Sequence, residues 1–370
     1  MGLSAKLENT FVGVSMWTRA KLVAYTEYQN VRKKKTLINK VQLSDNDKAD
    51  IDGFFKQHYG KKIPYHWHKL YQSYTGVFRK DYFPEILFST KLEPMLNPYR
   101  EAEFLGDKNL LPLLFDGDQT IRVPKTYGSC VKGRFRDDNH CFVSMEELCM
   151  HLSDIGDCVI KKTVETSSGR DVLICNFHGG KDMASEISVE EILRAFGKNF
   201  IIQEKIIQHE SLSRLNGSSV NTFRIMTYYC NDRVHVCPIA LRLGRSNADR
   251  DNIHYGGISV GVTLKGVLKS SAFSEYGEAF KEHPDSHVTF EGYEVGGGKF
   301  DGVIELLKLK HGRMPYLGIL SWDITLDKDA KPIIIEINTT GQSAWFCQMV
   351  NGEPLFGENT AEILKLIKHR

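Results

Sequence analysis

The chain has 370 residues, enough for two or three compact units, and 41% apolar with 11% aromatic residues supports ordinary folded cores. Forty-eight basic against 46 acidic residues leave a formal charge of +2, too weak a global field to single out nucleic acid as the main partner. No segment approaches the ~18 apolar residues of a membrane helix, and the cysteines (Cys130, Cys141, Cys149, Cys158, Cys175, Cys230, Cys237 and Cys347) form neither Cys-x-x-Cys nor a zinc-type spacing, so reduced thiols in a cytoplasmic protein are expected.

Residues 1–40 read as mostly helical, with Met16-Trp17 and Leu22-Val23 as apolar anchors. Ser44-Asp45-Asn46-Asp47 supplies the cap and acidic first turn of a helix carrying Ile51, Phe54 and Phe55, which Gly60 closes. An aromatic-rich segment follows, Tyr59 to Phe88, containing Tyr65-His66-Trp67-His68-Lys69-Leu70-Tyr71. It admits three readings: core packing with hydrogen-bonded polar tips, a metal flanked by His66 and His68 on a strand, or a wall for a sugar-like ring.

From Leu105 the pattern becomes more specific. Leu110 to Phe115 reads as helix, Ile121 to Thr126 enters a strand, and Met145 to Leu152 is amphipathic. Cys158 to Ile174 reads as strand, small-residue loop, strand. Lys161 ends the first buried run, and Thr166-Ser167-Ser168-Gly169 lets backbone N–H groups approach a ligand, a way to hold phosphates. Neither this run nor Gly296-Gly297-Gly298-Lys299 fits a P-loop, and the latter reads as a connection before a helix from Val303 to Lys310. Phe200 to Ile207 is a buried strand with a polar end, of the kind that frames adenine. Glu204 or Glu210 beyond it suits ribose hydroxyls or is a surface acid.

Val220 to Tyr228 opens a hairpin that turns at Asn231-Asp232 and returns through Val234 to Arg242, and a strand from Ile258 to Val262 follows Asp249 to Gly257. Arg224, Arg242 and Arg250 punctuate these apolar strands, as phosphate-binding forks or as structural salt bridges. The last hairpin joins Ser321–Leu326 to Pro332–Gly341. A turn centred on Asp329-Ala330 sets Asp323 opposite Glu336, roughly 5 Å away on one face, and Asn338 returns to that face. Two carboxylates and an amide suit a hard cation such as Mg²⁺; the alternative is a solvated edge, against which Ile333, Ile335 and Ile337 on the opposite face mark a buried strand.

The ordered series Lys108, Lys161 with its loop, Gln203 to Ile206, the three arginines, Asp251-Asn252 before Gly256-Gly257, then Asp323, Glu336 and Asn338 resembles the ATP-grasp superfamily over about residues 105–345. Asn221-Thr222-Phe223-Arg224, Asp251-Asn252-Ile253-His254-Tyr255-Gly256-Gly257, Trp322-Asp323-Ile324 and the upstream Trp67-His68-Lys69-Leu70-Tyr71 are similar, more narrowly, to the sugar-transfer-associated ATP-grasp proteins of bacterial surface-polysaccharide clusters.

The resemblance implies an α+β fold, the ATP-grasp fold, with two subdomains (105–200 and 201–370) clasping ATP behind a smaller, helix-rich, substrate-side domain (1–104). It implies ATP and Mg²⁺ as cofactors, the ions usually as a pair held by Asp323, Glu336 and Asn338. Lys108, Lys161 and the loop Thr166, Ser167, Ser168, Gly169 would meet phosphates; Gln203, Glu204, Lys205 and Ile206 would frame adenine; Glu210 and Asn252 complete the nucleotide site. Arg224, Arg242, Arg250 and Lys161 would act on the reacting phosphoryl group. Many relatives carry an arginine where this chain has Ser321, and Thr-Ser-Pro-Gly where it has Thr339-Thr340-Gly341-Gln342. The implied reaction is carboxylate–amine ligation through an acyl phosphate, with a small carboxylate, sugar-linked, and an amine as substrates. A small-molecule kinase and a non-catalytic nucleotide-binding module are the alternatives.

Overall fold

The computed structural model describes residues 3–163, 172–245 and 251–368. The loop Thr166 to Gly169 and Arg250 therefore lie outside the described residues. Two antiparallel sheets dominate. The first contains β1 (Thr126–Val131), β2 (Arg134–Arg136), β3 (Phe142–Val143), β4 (Gly156–Lys162), β5 (Val172–His178), β6 (Lys181–Asp182) and β7 (Asn199–Glu204), in the order β3-β2-β1-β7-β4-β5-β6. Its strands alternate as a half-covered sheet must. Cys158, Ile160, Phe200 and Ile202 point into a core with Leu148, Leu152, Ile192 and Leu193 of two helices, Met145–Leu152 and Val189–Phe196. Each helix begins with a serine capping box, Ser144 with Glu147 and Ser188 with Glu191, which satisfies N–H groups that the first turn leaves orphaned. The intervening residues, Val159 and Lys161, face the other way.

The second sheet contains β8 (Thr222–Cys230), β9 (Arg233–Val236), β10 (Ile239–Leu243), β11 (Ile258–Val262), β12 (Leu268–Phe273), β13 (Ala279–Phe280), β14 (Ile319–Leu326) and β15 (Pro332–Asn338), ordered β13-β12-β11-β10-β8-β14-β15 with β9 also on β8. Asn231 and Asp232, both at positive φ, make the expected turn between β8 and β9. Strands β8 and β14 are buried on both faces. Phe223, Ile225, Leu320, Trp322 and Ile324 pack against the helix Phe300–Gly312, in one core with Phe300, Val303 and Leu307. On the opposite face, Met226, Tyr228 and Ile319 share a core with Ile51, Phe55, Trp67, Tyr71 and Phe88 of the N-terminal helices and with Phe346, Met349 and Val350 of the helix Trp345–Asn351.

That second face is therefore divided. The half under Met226, Tyr228 and Ile319 is roofed by the N-terminal layer, while Arg224, Asp323 and Glu336 lie on the half open to a cavity facing the first sheet. The expected architecture, two α+β units meeting at a site and preceded by a helix-rich part, is what the chain forms. The N-terminal helices share their core with the second sheet and the C-terminal helices.

The aromatic segment is a helix, His66–Thr75, and the strand reading with a metal between His66 and His68 is corrected accordingly. Trp67 and His68 are fully buried, and His68 donates from Nε2 to the Lys80 carbonyl at 3.1 Å. Burial pushes the His68 pKa down to about 4, so the ring is neutral and serves packing. Core packing with a hydrogen-bonded polar tip, one of the three readings the sequence admits, is what Trp67 and His68 display.

Candidate active site

The cavity between the sheets has a volume of about 770 Å³. One end is apolar, lined by Val159, Val172, Ile174, Ile206 and Ile207; the other gathers the charges. The charged end begins with the β14–β15 hairpin. Asp323 pairs with Glu336, as the sequence predicts, but for a different reason. The turn centres one half-residue earlier, with Leu326 opposite Pro332 and Ala330 at positive φ, and a bulge between Asp323 and Ile324 restores the register. The bulge also turns Ile335 to the cavity, correcting its expected place on the far face.

Across β14, Asp323 faces Arg224 of β8, so Glu336, Asp323 and Arg224 form one row over three strands. Arg224 donates from Nε to Asp323 Oδ1 at 2.5 Å and from Nη2 to Oδ2 at 3.2 Å, a bidentate fork. Arg242 of β10 adds Nη2 to Oδ2 at 3.1 Å. Burial would raise the Asp323 pKa, but the two guanidinium groups outweigh it and hold the carboxyl below its ordinary value. Ser321 stands two residues before Asp323 on the same strand face. It is buried with no partner for its hydroxyl among the described residues, and the guanidinium groups beside Asp323 come instead from the strands β8 and β10.

Two further side chains complete this corner that the sequence reading did not assign. Thr222 accepts from Arg242 Nε at 2.9 Å and donates to the Asp251 carboxylate, which lies 3.6 Å from Arg242. Thr222 stands two residues before Arg224, on the same strand face, so period two could have found it.

Lys108 and Lys161 both reach this end. Lys108 Nζ lies 2.8 Å from Glu336 Oε1. Lys161 donates to Gln203 Oε1 at 3.3 Å, and burial pushes its pKa down to about 8, against the pull of Glu336. Asn338 lines the cavity and directs its Nδ2 at Asp323 Oδ2 over 3.5 Å, which leaves its carbonyl oxygen for a cation.

At the apolar end Glu204, Lys205 and Ile206 line the cavity, whereas Gln203 stands behind Lys161. The Glu204 carboxylate pairs with Arg122 and accepts from the Lys125 N–H at 2.9 Å. Glu210 is not among the cavity residues: its side chain is 74% exposed and pairs with Arg214 one turn along, at 3.0 Å. Asn252 lines the cavity and caps His254, accepting from its N–H at 2.8 Å.

The donor set at this end suits Mg²⁺ in part. Glu336 and the free oxygen of Asn338 fit a hard cation that keeps some of its water. Asp323 offers the cation less, because it already accepts three hydrogen bonds from guanidinium groups, and among the described residues no group of three or more His, Cys, Asp or Glu side chains is placed to hold a metal ion. None of the helices among the described residues is long and apolar enough to cross a membrane. No disulfide is formed among them, all eight cysteines being free thiols.

No curated protein matches the chain. Among solved structures it is similar to an N5-carboxyaminoimidazole synthetase from Staphylococcus aureus complexed with ADP (9% identity, TM-score 0.37, 67% of this chain and 48% of that one). It is also similar to an L-amino acid ligase from Bacillus licheniformis (14%, 0.37, 71% and 48%) and to the ATP-grasp ligase PsnB complexed with minimal precursor, Mg and ADP (13%, 0.39, 74% and 62%). The chain thus spans about half the length of the first two. The model of the sugar-transfer associated ATP-grasp family matches residues 87–363, three quarters of the sequence, and the chain belongs to that family.

Proposed function

We propose that the protein is an ATP- and Mg²⁺-dependent ligase that activates a carboxylate as an acyl phosphate and joins it to an amine. The observation that carries this reading is the row Glu336, Asp323, Arg224, flanked by Arg242, Lys108 and Lys161 at one end of a cavity whose other end is apolar. That polarity matches a nucleotide laid with its base among Val159, Ile174 and Ile206 and its phosphates toward the cations.

A carboxylate is a poor electrophile, and its attack on the γ-phosphate concentrates negative charge. Fixed cations in a water-poor site stabilise such charge without reorganising. Lys161, Arg224 and Arg242 fill that role, with Lys108 released from Glu336 as phosphate arrives. Glu336 and Asn338, with Asp323, would hold Mg²⁺, as the pair of ions the family resemblance implies. Bound there, the metal supplies charge neutralisation and alignment of the transferring phosphoryl group.

The family name and the resemblance to surface-polysaccharide proteins support a uronic or other sugar acid as the carboxylate and an amino acid or simple amine as its partner, in a bacterial cytoplasm. The test is ADP release across uronic acids crossed with amino acids, followed by the mass of any adduct. Ligation requires free phosphate and an amide only when both partners are present. Phosphate retained on a single acceptor would replace ligation by a kinase reaction, and nucleotide binding without turnover across the panel would leave a binding module.

A further inference from the structure

Beyond the phosphate end the cavity continues to a wall made by Asn252, His254, Ser343, Trp345 and Phe346. The Arg224 guanidinium lies 5.5 Å from the Phe346 ring centre, so this wall adjoins the place where the phosphoryl group reacts. One side chain on it, half-exposed, is held by a buried ion pair. His254 Nδ1 sits 2.8 Å from Glu275 Oε2, and Glu275 Oε1 receives Lys34 Nζ at 2.9 Å. Lys34 comes from the N-terminal layer, is only 6% exposed, and lies 4.6 Å from the Trp345 ring centre. Tyr74 fixes the Glu275 backbone from a third direction, donating to its carbonyl at 2.7 Å.

Burying a lysine and a glutamate costs free energy that their mutual attraction only partly returns. Burial would raise the Glu275 pKa, yet hydrogen bonds from His254 and Lys34 hold it down at about 2. The carboxylate is thus a permanent anion behind an imidazole. With Nδ1–H held by it, Nε2 is the nitrogen that meets a ligand, and no described residue occupies it. Asn252 pins the backbone of the same histidine. A carboxylate–imidazole pair facing a reaction chamber orients the ring and fixes which nitrogen carries the proton.

Resting on the ligation reading, we infer that His254 is the proton acceptor for the incoming amine in the second half-reaction, with Glu275 and Lys34 as positioning residues. The amine nitrogen forms a bond to the acyl carbon, and the carbon–oxygen bond to phosphate breaks. His254 Nε2 takes the first proton from the ammonium and so frees the attacking electron pair; the pair of the broken bond leaves on phosphate, and the second proton, shed as the amide forms, leaves with that phosphate. The amine this site takes is one protonated at neutral pH, such as the α-amino group of an amino acid, which must lose a proton to react.

Hydroxylamine separates this step from the first, because it is largely unprotonated at neutral pH and traps an acyl phosphate without a base. Wild type and His254→Gln are compared with ATP, Mg²⁺ and a panel of uronic acids, using glycine or hydroxylamine as the amine. In His254→Gln, amide formation with glycine should fall about 100-fold in kcat or more while hydroxamate formation stays within about threefold, as expected for loss of a general base alone. Glu275→Gln should show the same split on a smaller scale, about tenfold. Equal losses in both assays, or no loss in either, would overturn the assignment. Absence of hydroxamate from the wild-type enzyme across the panel would sink the ligation reading itself, and this assignment with it.

Discussion

Replacing Asp323 by Asn tests whether this carboxylate is first a counter-ion and only then a metal ligand. It is 4% exposed and accepts three hydrogen bonds from two arginines. After the substitution Arg242 keeps Asp251 at 3.6 Å and Thr222, whereas Arg224 loses the carboxylate it is paired with. Removing one partner of a buried ion pair costs about 3–5 kcal/mol. The Asn oxygen recovers one hydrogen bond to a charged group, worth about 1.5–3 kcal/mol, so the net loss is about 2 kcal/mol. With an unfolding entropy that scales with length, this amounts to roughly 3 °C in Tm. Glu336→Gln supplies the contrast. Its side chain is 29% exposed and its partner Lys108 lies at the cavity surface, so the pair is worth ~0–1 kcal/mol and Tm should move by roughly 1 °C or less. Calorimetric melts at pH 7 without nucleotide decide between them. The reasoning fails if Asp323→Asn melts with wild type, or if Glu336→Gln is the less stable of the two. In ADP release the ranking need not follow stability, and Glu336→Gln should fall about 100-fold or more from loss of metal-held phosphate alignment.

Lys161 is protonated at pH 7 against a burial that favours the neutral amine, with its pKa pushed down to about 8. Its contribution to stability is present above the unfolded value near 10.5 and lost as pH falls through 8, so at pH 7 the full cost, on the order of 3 kcal/mol, is borne. Lys161→Met should therefore raise Tm at pH 7, lose that advantage toward pH 10, and abolish ADP release; a lower Tm at pH 7 would contradict this account. Glu93 runs the opposite way. Burial pushes its carboxyl up to about 7 against hydrogen bonds from the Gln342 and Gly341 backbone. Its stabilisation is complete below the unfolded value near 4.5 and lost as pH rises through 7, up to about 3 kcal/mol. Glu93→Gln should flatten the dependence of Tm on pH between 5 and 8, and parallel curves for the two proteins would refute it.

The central strands were legible because each carries its own local signal. Ile258–Val262, the Asn231-Asp232 turn and the Ser44 capping box are local, set by residues within a few positions of one another. Asp323, Glu336 and Asn338 were legible as a set through period two, although a bulge that no turn rule foresees was needed to align them. What the sequence could not give is pairing between strands far apart. That Arg224 rather than a residue of β14 sits beside Asp323 depends on β8 and β14 being neighbours, 99 residues apart in the chain. Glu210 lies outside the cavity for the converse reason: a carboxylate close in sequence to the Phe200–Glu204 strand turns outward once Glu210–Ser213 coils into a helical turn.

The loop after Asn338 forms part of the cavity wall. Its backbone is held from outside. Thr339 offers its carbonyl to Asn97 Nδ2 at 2.7 Å and donates its hydroxyl to the Ala102 carbonyl at 2.7 Å. The Gln342 N–H donates to Glu93 at 2.7 Å and the Ala344 N–H to Glu85 at 3.0 Å, both carboxylates being buried. Gln348 closes the series by exchanging hydrogen bonds with both backbone groups of Phe83. Every one of these partners lies between residues 83 and 102. Backbone groups so satisfied have little freedom to follow a change in their own side chains. Thr340, Gly341, Ser343 and Trp345, which line the cavity, are thus presented by the N-terminal layer as much as by their own strand. Lys34, which holds Glu275 behind His254, belongs to that same layer. The N-terminal helices therefore brace this wall of the cavity without lining it, through buried carboxyl groups that fix the loop and a buried lysine that holds Glu275 behind His254.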